Sequence, residues 1–75
     1  MQGFESVLKD FLDAANRELE LGRVITANCY VYCYNRLSLE VEYDRMLLLS
    51  HDKVNRTWHI FNLHKSDYYR RIFNA

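Results

Sequence analysis

Apolar residues recur along the start of the chain at steps of three and four: Phe4, Val7, Leu8, Phe11, Leu12, Ala15 and Leu19. That spacing lines them along one face of an amphipathic helix over residues 4–21. Glu5 with Lys9, and Asp13 with Arg17, are acid-before-base pairs four residues apart, each adding roughly 0.2–0.5 kcal/mol to such a helix. Gly22 stands where a left-handed C-terminal cap is expected.

After Gly22 the pattern changes. Residues 24–34, 37–50 and 54–63 are rich in Tyr, Val, Leu, Ile and Thr and predict three strands. Asn35-Arg36 supplies the first turn and Asp52-Lys53 the second. Ser66 as N-cap, with Asp67 in the first turn, opens a short closing helix. The expected fold class is α+β: an N-terminal helix packed on a three-stranded antiparallel meander, then a short C-terminal helix (αβββα). Residues 1–75 form one domain.

Strand parity assigns faces, because alternate residues point to opposite sides. Leu37, Leu39, Val41, Tyr43, Leu47 and Leu49 share one face of the second strand. Val54, Trp58 and Ile60 share one face of the third. A two-residue turn at Asp52-Lys53 sets Leu47 opposite Trp58, so these sets coincide. Leu8, Phe11, Leu12, Leu47 and Trp58 are the expected core. The first strand admits two phases. A two-residue turn at Asn35-Arg36 turns Tyr30, Tyr32 and Tyr34 toward the helix, and a three-residue turn turns Cys29, Val31 and Cys33 there. The second phase is preferred, since three phenolic hydroxyls are hard to satisfy in a small core. The outer face then carries Tyr30, Tyr32, Tyr34, Glu40, Glu42, Asp44, Met46, Leu48, His59 and Phe61. A sheet face this apolar and aromatic is an expected interface.

Composition supports a folded chain, with 49% hydrophobic and 15% aromatic residues among 75. A domain of this size buries only about 60–65% of its unfolded surface, and oligomerisation is one common remedy. Net charge is zero, so overall charge does not point to nucleic acid or an anionic membrane. Residues 1–21 nevertheless carry minus three and residues 51–75 plus three, with all three histidines in the latter. The longest apolar run, Cys29 to Tyr34, is too short to span a bilayer, and charges interrupt any signal peptide. Two cysteines without an export signal fit a reducing, cytoplasmic setting.

Candidate chemistry is sparse. On a strand, Cys29 and Cys33 lie about 13 Å apart, too far for a mutual disulfide or a shared metal ion. They are expected to be reduced and buried. His51, His59 and His64 have no ligand spacing among themselves. Two glycines in the whole chain give no phosphate-cradling loop. No catalytic residue, metal or cofactor is therefore predicted. Glu40, Glu42 and Asp44 alternate, which on a strand spaces carboxylates by about 6.8 Å along one side. Near the C-terminus, Lys65, Arg70 and Arg71 interleave with Tyr68 and Tyr69, a combination suited to phosphate contact and base stacking. The helix–three strands–helix order is also that of double-stranded-RNA-binding domains. Their glycine-bearing loop and lysine-rich last helix have no counterpart here.

These features favour a small non-enzymatic protein-binding module, an inhibitor or adaptor of the kind carried by phage and mobile elements. Its partner-binding residues would be Tyr30, Tyr32, Tyr34, Glu40, Glu42, Asp44, His59 and Phe61, and a homodimer is one form the contact can take. The alternative is an RNA- or DNA-binding domain using Lys65, Tyr68, Tyr69, Arg70 and Arg71.

Overall fold

The computed structural model describes residues 3–41 and 44–73, with the side chains of residues 72 and 73 excepted. Five elements follow one another: α1 (Phe4–Glu20), α2 (Val24–Glu40), β1 (Arg45–Asp52), β2 (Thr57–His64) and α3 (Lys65–Phe73). The chain is α+β, but its order is ααββα and its sheet has two strands. The predicted three-stranded meander is wrong because its first strand, and the start of its second, are helix α2.

Helix α1 forms where the apolar spacing places it. Its end is a Schellman motif: the Arg23 N–H donates to Glu18 O at 2.8 Å and the Gly22 N–H to Leu19 O at 3.0 Å. Gly22 takes φ 76°, open to glycine without strain. Only residues 21–23 separate the helices, so α2 folds back on α1 as a helical hairpin.

Helix α2 buries Ala27, Val31, Tyr34 and Ser38. Their steps of four, three and four trace one helical stripe. Tyrosine and valine prefer strands only weakly, and packing overrides the preference. Apolar residues also lie on every side of this segment, so the helical period is faint in the sequence.

Strands β1 and β2 pair antiparallel, with Leu47 opposite Asn62 and His51 opposite Trp58. The expected register had Leu47 opposite Trp58. Residues 53–56 form the connection instead of a two-residue turn, which slides the pairing by four positions and preserves parity. Leu47, Leu49, Trp58 and Ile60 therefore do share a face, as expected. Leu47 is 1% exposed and forms the core with Leu8, Ala15, Val31 and Tyr34, while Phe11, Leu12, Leu49 and Ile60 pack around them. Trp58 is not core. It stands near the hairpin tip, 37% exposed, with its ring 4.9 Å from that of His51.

An amide clamp joins the helices to the strands. Asn35 Nδ2 donates to Leu47 O at 3.0 Å, and the Leu47 N–H donates to Asn35 Oδ1 at 2.9 Å. The side chain thus pairs with the free edge of β1 as another strand would. Fully buried Ser38 donates to Asn35 O at 2.9 Å. The described residues form a slab of 40 × 34 × 14 Å.

Candidate binding surface

The three tyrosines predicted as a ladder fan around α2, because successive helical residues turn by about 100°. Tyr34 points inward and is 4% exposed. Tyr30 is half-buried, its ring centroid 6.5 Å from that of Phe11. Tyr32 alone points outward, 69% exposed. The expected carboxylate row does not form on a strand. Glu40 ends α2, Asp44 precedes β1, and Glu42 lies outside the described residues. His59 and Phe61 do sit on the sheet face away from Leu47, where Phe61 is 52% exposed. The predicted patch is thus divided: Tyr32 and Glu40 on the helical hairpin, His59 and Phe61 on the strands.

The helix changes the geometry of the cysteines as well. One turn apart, Cys29 and Cys33 have Cβ atoms about 5–6 Å apart, not the strand distance. That gap still exceeds the roughly 3.5–4.5 Å of a disulfide. Both thiols are free; Cys29 is exposed, contrary to the expectation of a buried pair, and Cys33 is half-buried.

Cys33 lines a groove of about 350 Å³ that runs between the helices. Val7 and Phe11 of α1 and Cys33 and Leu37 of α2 make its apolar lining; Tyr32, Arg36 and Glu40 complete it. No strand residue contributes. Phe4, one turn before Val7 on α1, is 61% exposed. The groove is not legible in the sequence, where the pattern places Val7 on the apolar face of α1, Leu37 on a sheet face and Arg36 in a turn. Phe11, expected in the core, packs against that core and also lines the groove. Its signal is the helical series 32, 33, 36, 37 and 40, visible only once the segment is read at period 3.6.

A second cavity, of about 740 Å³, opens between the C-terminal end of α1 and the hairpin tip. Asn16, Leu19, Glu20, Trp58 and Arg56 are among its walls.

Histidine, serine and aspartate meet at the start of α3. The Ser66 N–H donates to His64 Nδ1 at 3.1 Å, and Ser66 Oγ lies 2.7 Å from the same nitrogen. His64 Nε2 lies 3.1 Å from Asp44 Oδ2. The amide bond needs an unprotonated Nδ1, which leaves the proton on Nε2 to bond Asp44. The ring therefore caps an N-terminal amide of α3 that lacks an intrahelical acceptor. The Lys65 N–H donates to Asp44 O at 2.7 Å, tying the same junction through the backbone. The group is exposed and lines neither cavity.

The residues of the nucleic-acid alternative all lie on α3. Tyr68 and Tyr69 pack edge to face, with centroids 5.6 Å apart. Arg70 Nη1 is 3.7 Å from Asp67 Oδ1, so Asp67 offsets part of its charge. Arg71 is exposed and Lys65 half-buried. Among the described residues no group of three or more His, Cys, Asp or Glu is placed to hold a metal ion, and no helix is long and apolar enough to cross a membrane. Comparison with family models, curated proteins and solved structures finds no match.

Proposed function

We propose that the chain is a non-enzymatic protein-binding module that acts by occupying a surface, and that it docks through the groove between α1 and α2. One observation carries this reading: an apolar groove between two helices, with exposed Tyr32 in its lining and exposed Phe4 one turn before Val7 on α1. Exposed aromatics around an apolar groove supply large contact area at small entropic cost, and a tyrosine keeps its polar tip in water. Two helices with an apolar seam form the receptor of helix-in-groove recognition. The occupant is a polypeptide with an apolar face of its own. Nucleic-acid binding through α3 is the second reading, favoured by the exposed side chains of Tyr69 and Arg71.

The groove carries its own probe. Cys33 lines it and Cys29, one turn away, does not. Alkylation by a maleimide, followed site by site by peptide mass spectrometry, compares each thiol with itself in dilute protein. Occupancy of the groove should slow Cys33 about tenfold or more and leave Cys29 within twofold, and Tyr32→Lys should abolish the protection. Unchanged Cys33 rates, both at high protein concentration and in an extract of the native host, would overturn the proposal. So would an interaction that survives Tyr32→Lys and collapses with salt, the behaviour of phosphate contacts through α3.

A further inference from the structure

The charges at the groove bear on what fills it. Arg36 and Glu40 both line it, both are exposed, and neither makes an ion pair among the described residues. Within one helix they stand four apart in the order base then acid, the less favourable orientation for an intrahelical pair. A groove meant for an acidic or basic partner would carry one sign. This one carries both, one helical turn apart.

We infer that the occupant is a second copy of this chain, docked about a two-fold axis with Arg36 of each copy against Glu40 of the other. This deepens the docking reading above and rests on it. In a two-fold contact, if residue i meets residue j, then j meets i. Two copies of α2 crossing antiparallel, with the axis midway between residues 36 and 40, therefore form both ion pairs at once. The two positions are about 6 Å apart along the helix, close enough for one crossing to serve both. Leu37 lies between them in sequence and lines the groove, so the same crossing brings it toward its own copy. Val7 and Phe11 line the groove from α1 and close over the seam.

Two properties of the whole chain agree. Its net charge is zero, so copies approach without long-range repulsion. Its buried apolar residues among those described are seven, three of them alanine, which leaves much to gain from covering the groove.

Charge reversal tests the symmetry. In sedimentation velocity the wild type should run heavier than its 9.1 kDa monomer at micromolar concentration. Arg36→Glu sets a carboxylate against Glu40 of the other copy twice over, and Glu40→Arg sets a guanidinium against Arg36. Each single variant should dissociate at least tenfold more readily. Mixed in equal amounts, the two should form a heterodimer, because both contacts then pair like with unlike: in one the original charges meet, in the other the reversed ones. The double variant should self-associate nearly as the wild type does. Both positions are exposed, and circular dichroism checks that each variant keeps the fold. A wild type that stays monomeric at hundreds of micromolar overturns the inference. So do single variants that associate normally, or a mixture that fails to restore association. If the wild type is monomeric yet host extract protects Cys33, the docking face stands and the second copy falls. If neither protein concentration nor extract protects Cys33, both fall.

Discussion

Asp52 and Arg56 decide how the strands turn. Asp52 Oδ1 accepts the Val54 N–H at 2.9 Å and the Asn55 N–H at 3.2 Å, and Oδ2 accepts from Asn55 Nδ2 at 2.8 Å. These bonds favour the ionised carboxylate. The backbone and side-chain bonds from Asn55 are the largest causes and the Val54 amide the next, and together they hold its pKa below the ordinary 3.8. A depressed folded pKa contributes stability above the unfolded value and loses it as pH falls through the folded one. The amide shifts of Val54 and Asn55 should therefore titrate with a midpoint below 3.8. In Asp52→Asn, which keeps an acceptor but no charge, that titration should vanish. A midpoint at or above the ordinary value would show that the turn bonds do not persist in solution. Arg56 closes the same loop with φ 56°, a left-handed conformation that costs a side-chain-bearing residue about 1–2 kcal/mol. Arg56→Gly should accordingly raise the free energy of unfolding by roughly 0.5–1 kcal/mol in urea melts, after the entropy that glycine adds to the unfolded chain. Loss of stability would place the guanidinium, which lines the cavity at the hairpin tip, in a supporting contact.

At the scale of elements, α1, the Gly22 cap, the second hairpin strand and the closing helix were legible in the sequence. Each has a local cause: helical spacing, a left-handed glycine, alternation after a polar turn, an Asp in a helix's first turn. Ser66, expected as the N-cap, instead lies inside α3, which begins at Lys65, and its own amide is capped by His64. Parity survived a register error of four because four is even, which is why Leu47 and Ile60 were placed correctly on one face. Helix α2 was not legible. Residues 29–34 are Cys, Tyr and Val alone, which satisfies a strand template and a buried helical one equally. With that segment went two of the three outward tyrosines and the carboxylate row, since a change from period 2 to 3.6 redistributes every side chain. Asn35 shows the cost most clearly. Read as a turn residue, it is in fact the clamp that pairs with both backbone groups of Leu47. Asn35→Ala leaves that N–H and C=O without partners at a half-covered edge, a loss of about 1–3 kcal/mol in chemical denaturation. Asn35→Asp keeps the acceptor for the N–H but turns a carboxylate toward the Leu47 carbonyl, and should destabilise as well. If Asn35→Ala melts with the wild type, the clamp is incidental to the packing of β1 on α2.

At the scale of the whole molecule, one residue gathers the core. Among the described residues Leu47 is the large side chain that is fully buried, and it packs with Leu8 and Ala15 of α1 and with Val31 and Tyr34 of α2. It belongs to the first strand after the helical hairpin, so its burial docks the second half of the chain on the first. Strand parity and a two-residue turn set Trp58 in the expected core opposite Leu47. The register slide instead carries Trp58 to the hairpin tip, opposite His51, where it is only partly covered. The two positions therefore separate the observed packing from the expected one. Leu47→Ala removes buried methylenes and leaves a cavity between layers, at a cost of about 2–5 kcal/mol. That loss is comparable with the total stability of a domain this small. The variant should lose cooperative unfolding in urea and show the collapsed amide dispersion of an unfolded chain. Trp58→Ala at a half-open site should cost about 1–1.5 kcal/mol or less, since partial exposure forgoes part of the transfer energy. It should keep a cooperative transition. The reverse order, a folded Leu47→Ala and an unfolded Trp58→Ala, would restore the two-residue turn and its register. Equal losses would mean that the hairpin and the helices unfold as one unit around both residues, with the tip packed more tightly than its exposure indicates.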